Sequence, residues 1–510
     1  MNIPEHSRSK LIKSRLLAIR LNINYWGLPV SNIDVGVKGM NKSVSTGGSK
    51  SIPYGGYFAR DAQKSPPDDL EILRTGPGTP MGEYLRRYWQ PVCLSQELTD
   101  VPKAIRIMHE DLVAFRDRSG KVGVVHSKCA HRGTSLEFGI VQEHGIRCCY
   151  HGWNFDVDGT LLEAPAEPAD SPLKKTVCQS AYPAFERDGL VFAYMGPPDQ
   201  KPKFEIFDGY ALPKGTLLVP FSNVFDCNWL QVYENLIDHY HTALLHNNMT
   251  VDGVDAKLAA AATLGGGFGE MPIVDWHTIH DGNGVMFTAG RRLSDEKVWI
   301  RISEMAFPNW AQNASVVAAA PQRHSGPGMS RWQVPVDDEH SIAFGWRHFN
   351  DEVDPNHAGR EEDVGIDKID FLIGQTRHRS FEEKQRVPGD YEAIVSQGAI
   401  AVHGLEHPGK SDVGVFLCRS LLREAVQGKT APDPTRALAE AGGTDTLPRY
   451  TSDTSLRIPR HPDKEKDREL IRKAAHQVLA GMKECDALPT AKRKAHMLRR
   501  LDEIDGNLKY

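Results

Sequence analysis

The sequence predicts an α+β protein: a small all-β domain, then a larger domain whose antiparallel sheet is covered by helices. Three observations carry that expectation. Between Cys93 and about Pro198, short β-rich runs follow one another, and in "IRIMHEDLVAFRDRSGKVGVVHSK" the turn DRSGK joins two of them as in a hairpin. From about Phe204 to Tyr450, strand-like stretches such as "DWHTIHDGNGVMFTAGRR" and "HSIAFGWRHF" occur with helical ones such as "NWLQVYENLIDHYHTALLH". Between the two regions, "GPPDQKPKFEIFDGY" carries the Pro and Gly signals of a linker.

Taken in order, residues 1–68 read as a flexible leader. Its first 39 residues are basic and acid-poor, Arg15 and Arg20 interrupt what would be the apolar core of a secretory signal, and Met40 opens a second plausible start. Residues 69–200 form the β domain, entered through "DDLEILRTGPGTPMGEYLRRYW", which reads as two short helices around a Gly/Pro loop. Residues 201–450 form the mixed domain, and 451–510 a charged, helix-prone extension expected to pack on a neighbouring surface. The 510 residues are ample for two buried cores. A net charge of -5 gives no signal for nucleic acid, and no apolar run approaches the ~20 residues of a membrane span. Eight cysteines are too few for a disulfide scaffold in a chain this long, so a reducing cytoplasm is expected.

Chemistry concentrates in two places. The first is "CAHRGTSLEFGIVQEHGIRCCYHGW", where Cys129-x-His131 and Cys148-x-x-His151 stand 16 residues apart. Two thiolates and two imidazoles suit tetrahedral zinc. A cluster of two irons, one held by two Cys and the other by two His, needs one ligand of each type from each loop, and that mixed pairing is what stands here. Glycines in both loops let the backbone approach inorganic sulfide, and Tyr150 and Trp153 are placed to shield it. Cys149 is out of register and expected to face away; His126 and His144 read as surface histidines.

The second is Asn235-x-x-Asp238-x-x-His241-x4-His246. Asp238 and His241 are neighbours on a helix, about 60° apart. His241 and His246 stand about 140° apart on an ideal helix, so they can share a metal only if the helix bulges or ends between them. Two imidazoles and a carboxylate with open positions describe the facial triad of non-haem Fe(II) oxygenases. His239 breaks the spacing and reads as a solvent or pocket residue.

With C-x-H and C-x-x-H upstream of this pair, the chain resembles the Rieske non-haem iron aromatic oxygenases. "TGPGTPMGEYLRRYWQPV" and "RVPGDYEAIVSQGAIAVHGLEHPGKSD" look like the phthalate 4,5-dioxygenase branch, and the likeness runs from about Leu70 to about Ala425. Ala130 departs from the proline that many relatives have there. The resemblance implies a [2Fe-2S] Rieske cluster on Cys129, His131, Cys148 and His151, and a mononuclear Fe(II) on His241, His246 and Asp390. Glu392 is the rival third ligand, and Asp363, Asp367 and Asp370 are poorer ones. It also implies a homotrimer or stacked trimers, in which Asp238 bridges His241 and His151 of the neighbouring subunit, with Asn235 near the iron. Dioxygen would be the co-substrate. No G-x-G-x-x-G follows a strand, so electrons would come from an external nicotinamide-dependent reductase, directly or through a ferredoxin.

The expected substrate is a small, carboxylated aromatic, attacked by ring dihydroxylation or by O-demethylation. Arg291, Arg292, Arg301 and Arg347 are candidate carboxylate partners, although each reads more readily as a surface or ion-pair arginine. Two other classes remain open from the residues alone. A zinc-stabilised binding protein would be colourless, and a pure Rieske electron carrier would lack the mononuclear iron.

Overall fold

The computed structural model describes residues 66–205, 207, 215–246, 270–314, 323–354, 357, 359–369, 374–430 and 448–508. The leader up to residue 65, Met40 and Asp370 lie outside the described residues. The chain begins with α1 (Leu70–Leu73) and α2 (Pro80–Arg86). Pro80 opens α2 and the Thr79 side chain accepts from Gly82 N, the pairing expected of a helix start. Although these helices precede the β domain in sequence, they are tied to the second one. Asn228 donates to Leu73 O at 3.0 Å and Trp229 Nε1 to Ile72 O at 3.2 Å.

The β domain comprises β1 (Trp89–Leu94), β2 (Lys103–Ile107), β3 (Glu110–Arg116), β4 (Val122–His126), β5 (Ile140–Val141), β6 (Ile146–Arg147), β7 (Asn154–Phe155), β8 (Leu161–Glu163), β9 (Ala181–Tyr182), β10 (Ala184–Arg187) and β11 (Leu190–Tyr194). They form three small antiparallel sheets, ordered β1-β11-β10, β2-β3-β4-β9 and β5-β6-β7-β8. The turn DRSGK joins β3 to β4, with Gly120 at φ 92°. The run before it is itself a hairpin, β2 to β3, turning at Met108 and His109, both at positive φ.

The larger domain is a nine-stranded sheet on which β12 (Leu217–Phe225), β13 (Ile273–Ile279), β14 (Gly284–Ser294), β15 (Lys297–Ala306), β16 (Trp310–Ala314), β17 (His324–Ser325), β18 (Pro327–Pro335) and β19 (Ser341–Phe349) are ordered β12-β19-β18-β16-β15-β14-β13, with β17 off this path. Side chains alternate across it. Val285, Phe287, Ala289 and Met305 face a core that also holds Leu190, Phe192, Trp229, Tyr233 and Trp346, so one apolar mass joins the β domain to the sheet. On that side lie α3 (Trp229–Asn235), α4 (His241–Leu244), α5 (Asp390–Val395) and α6 (Val413–Val426).

Met286, Ile300 and Ile302 face the other way. They are covered by α7 (Lys464–Glu484) and α8 (Thr490–Asn507), through Ile471, Ala474, Val478 and Leu501. A Cβ on Gly290 would stand 2.4 Å from Ile471 Cγ2, so the close approach of α7 depends on that glycine. The stretch from 451 onward is more than a helical extension, because β20 (Ser452–Leu456) pairs with β15 along Val298–Ile302 and completes the sheet. The extension thus packs on the outer face of its own sheet.

A buried ion pair fastens α7 there. Arg292 and Asp467, with side chains 1% and 7% exposed, meet at 2.5 Å, and Arg292 also donates to the Ile458 carbonyl. Asp467→Ala leaves that guanidinium buried without its counter-charge, which is expected to cost about 3–5 kcal/mol. A lower midpoint in urea would register the loss, and an unchanged midpoint would show that the pair holds nothing. Among the described residues no helix is long and apolar enough to cross a membrane.

Candidate metal centres

The two Cys/His loops are built alike. One lies between β4 and β5, the other between β6 and β7. In each, the cysteine carbonyl accepts from the N–H of a glycine four residues on, Gly133 at 2.8 Å and Gly152 at 3.1 Å. In each, the cysteine N–H donates to the carbonyl five residues on, Thr134 at 2.9 Å and Trp153 at 2.8 Å. Both glycines sit at φ near +74° (74° and 73°), a conformation that only glycine adopts without strain. Gln179 steadies the first loop, accepting from Ala130 N at 2.7 Å and donating to the His126 and Lys128 carbonyls.

This geometry sorts the ligand types. Cys129 and Cys148 are buried, and burial together with the neighbouring Cys148 sulfur pushes the Cys129 thiol up to about 11. The two imidazoles form a separate pair, His131 and His151, with ring centroids 4.6 Å apart. His131 stacks on Trp153 at 4.3 Å, and its buried Nδ1 has no hydrogen-bond partner among the described residues. The Tyr150 ring lies 3.8 Å from that of His151 and is itself largely exposed. Cys149 is exposed, whereas Cys129 and Cys148 are buried. His126 is half-buried and His144 exposed. Two thiols on one side and two imidazoles on the other fit a cluster with one iron of each kind. Burial raises the Cys129 thiol, and a bound iron would favour its thiolate.

At the second place the helix ends between the two histidines. His241 opens the single turn of α4, and His246 lies just beyond its end. Asp390 enters from the start of α5. Its Oδ1 lies 3.4 Å from His241 Nε2 and 3.3 Å from His246 Nε2, and ligand atoms of the three residues all fall within 4.8 Å of one another. Gln375 donates to Asp390 Oδ2 at 2.5 Å, and Oδ1, which makes no hydrogen bond among the described residues, is aimed at the imidazoles. Burial opposes a charge on His241, but Asp238 and Asp390 outweigh it and raise its pKa to about 10. A divalent cation would meet that same negative charge, so these residues fit a metal of facial-triad type.

The rival carboxylates are engaged elsewhere. Glu392 is paired with Arg379 and accepts from Gly389 N at 2.8 Å. Asp363 is paired with Arg360, and Asp367 with His378 and Arg377. Asp238 places Oδ2 3.6 Å from His241 Nδ1, on the side away from Asp390. Asn235, Asp238 and His241 line an open groove of about 670 Å³ on one side and a cavity of about 70 Å³ on the other, so they form the wall between the two.

A family model of the Rieske [2Fe-2S] domain matches residues 88–183. The oxygenase subunit of the tert-butanol monooxygenase / tert-amyl alcohol desaturase of Aquincola tertiaricarbonis is 76% identical over 470 residues, 92% of this chain and 100% of that one. This chain is a Rieske oxygenase alpha subunit. The oxygenase therefore carries a [2Fe-2S] cluster and a mononuclear iron. It is also 30% identical to the phthalate 4,5-dioxygenase oxygenase subunit of Pseudomonas putida, over 71% of this chain and 86% of that one. The crystal structure of dicamba monooxygenase bound to dicamba aligns with 68% of the chain and 99% of its own, at 17% identity and a TM-score of 0.48.

The oxygenase's arginines meet the ion-pair half of the sequence expectation at Arg292 and Arg301 and depart from the surface half. Arg291, Arg292 and Arg301 are buried rather than on the surface. Arg292 and Arg301 are in ion pairs, with Asp467 and Asp453, while Arg291 contacts His239 and Thr242. Arg347 donates to the Gly328 and His348 carbonyls. Of these four only Arg301 lines the cavity beside the triad. His239 is a buried pocket residue, stacked on Phe287 and kept neutral first by burial and then by the Arg291 charge. Gln375, Asn313 and Arg331, which also line the cavity, carry no local sequence signal. They arrive there through sheet register and a loop.

Proposed function

We propose that the oxygenase hydroxylates or desaturates a small tertiary alcohol. The 76% identity to a tert-butanol and tert-amyl alcohol oxygenase subunit carries the proposal. The cavity agrees with it, since the described residues beside the triad line a half-open space of about 70 Å³, below the ~300 Å³ or more of pockets that take drug-sized ligands. That favours a molecule of a few heavy atoms over the carboxylated aromatic expected from the sequence. Ring dihydroxylation has no place in this reading.

His241, His246 and Asp390 are the proposed iron ligands, and Cys129, His131, Cys148 and His151 the cluster ligands. When bound, these groups deliver electrons and activate dioxygen, so that one C–H bond, O2, two electrons and two protons yield an alcohol and water, or two C–H bonds yield an alkene and two waters. The chain's own residues supply position and exclusion of water. Gln375 fixes the rotamer of Asp390 by holding Oδ2. Phe287 and Leu236 give the cavity apolar walls, and His239, held neutral against Phe287, adds no charge there. Asp238 orients His241 from behind. An external reductase, with or without a ferredoxin, supplies the electrons, and the assembly is a homotrimer in the cytoplasm. None of the eight cysteines forms a disulfide, in keeping with a reducing compartment.

Turnover by the purified oxygenase with its reductase tests this. tert-Butanol is expected to give a vicinal diol and tert-amyl alcohol an allylic tertiary alcohol, each with kcat/KM above that for benzoate or phthalate by at least tenfold. Oxidation of the aromatic acids with none of the alcohols would overturn it.

A further inference from the structure

The cavity floor is made by one face of the sheet. Phe287 on β14 faces Ser303 on β15, Asn313 on β16 faces Met329 on β18, and Arg331 faces Ala311. Residues two apart on a strand share a face, so Arg331 and Asn313 are diagonal neighbours on adjacent strands, both lining the cavity that holds His241, His246 and Asp390.

Both side chains are unfinished. Arg331 is 9% exposed, and its buried Nε makes no hydrogen bond among the described residues. The carboxylate whose charge acts on it is Asp390, whose Oδ2 is held by Gln375 and whose Oδ1 lies between the two imidazoles. The Asn313 Oδ1 atom is also buried, with no donor to it among the described residues. Buried polar atoms are almost always satisfied, and two orphans on the floor of one small cavity call for a ligand group that completes both. The donor is cationic and the acceptor neutral. A hydroxyl accepts one hydrogen bond and donates another, so it answers both atoms. A carboxylate only accepts and leaves Asn313 Oδ1 unmet, and a hydrocarbon answers neither.

We propose that Arg331 and Asn313 are specificity-determining residues that read the substrate's hydroxyl, Arg331 donating to its oxygen and Asn313 accepting its proton. With the C–OH bond held at the floor, an alkyl group of the same molecule is turned towards His241, His246 and Asp390. This assignment rests on the tertiary-alcohol reading and names the residues that enforce it. Arg331 is thereby kept in the fold at a cost, because a buried charge without a partner is costly until substrate arrives.

The test uses the holoenzyme with its reductase and three ligands that differ in one substituent: tert-amyl alcohol, 2,2-dimethylbutane and 2,2-dimethylbutanoate. The wild type is expected to bind and oxidise the alcohol in preference to both others. Arg331→Met should raise KM and the calorimetric Kd for the alcohol by about 10–100-fold, as for a hydrogen bond to a charged group, and leave the hydrocarbon unchanged. Asn313→Ala should cost less, about 2–10-fold. Arg331→Lys should recover part of the alcohol affinity. Iron content should stay at wild-type level, and Arg331→Met should melt no lower than wild type, since it removes an unpaired buried charge. A merely structural arginine would instead lower the melting point and weaken all three ligands alike. An alcohol preference that survives both Arg331→Met and Asn313→Ala, or a wild type that prefers the carboxylate, would overturn the assignment while the enzyme still oxidises tertiary alcohols. A wild type that neither binds nor oxidises the alcohol would remove the functional reading itself, and the assignment with it.

Discussion

Cys148→Ser is expected to bleach the protein and reduce turnover to background, while Cys149→Ser leaves colour and activity close to wild type. The two cysteines are adjacent in sequence and opposite in surroundings. Cys148 is buried with its sulfur against that of Cys129, and its backbone is locked by the Trp153 carbonyl and the Gly152 N–H. Cys149 projects to solvent. A serine oxygen at position 148 replaces one of two thiolates in a site whose ligands converge from two matched loops, and the second loop offers no other sulfur on that side. Visible absorption, iron and acid-labile sulfide per chain, and turnover with the reductase measure the outcome. A coloured Cys148 variant beside a colourless Cys149 variant would reverse the assignment.

The cluster loops were readable in the sequence because everything they need is local: two short spacings and a glycine after each cysteine. The histidine pair was readable only in part. The five-residue step between His241 and His246 demands a broken helix, and the chain breaks it by ending α4 after one turn. Asp390 stood out from Glu392 only through the family resemblance of its surroundings, and it is the pairing of Glu392 with Arg379 that separates the two carboxylates in space. The β2–β3 turn went unread for a related reason. Met108 and His109 are not turn formers by type; their N–H groups donate to the Pro335 and Val336 carbonyls, and His109 meets Asp338 at 2.9 Å, so tertiary contacts impose the positive φ values. The same limit hid Arg331 and Asn313. Which face of a strand a residue occupies is fixed by register, and β20, arriving from the far end of the chain to pair with β15, shows how far from local that register is.

Asp238→Asn is expected to leave both metal centres and the melting point unchanged and to lower turnover on the order of 100-fold, the scale seen when an outer partner of a metal-bound imidazole is lost. Burial opposes the Asp238 charge, but His241 and the backbone N–H groups outweigh it, so the carboxylate is held below its ordinary pKa and stays ionised. One oxygen accepts from Tyr240 N at 3.1 Å, and the other lies 3.6 Å from His241 Nδ1. The side chain is 36% exposed, and it lines the groove rather than lying sealed in the core. Asparagine keeps the size and the Tyr240 contact and removes the charge that a second imidazole, brought into the groove by a neighbouring subunit, would need. Mixing the two inactive variants decides whether that neighbour exists. In a ring, an Asp238→Asn chain still offers an intact cluster and a Cys148→Ser chain still offers an intact Asp238, so co-assembled chains should regain a measurable fraction of wild-type turnover although neither works alone. If each chain served only itself, no mixture could recover activity. Absence of recovery in a verified mixed assembly, or normal turnover by Asp238→Asn, would mean that Asp238 does no more than orient His241 within its own subunit.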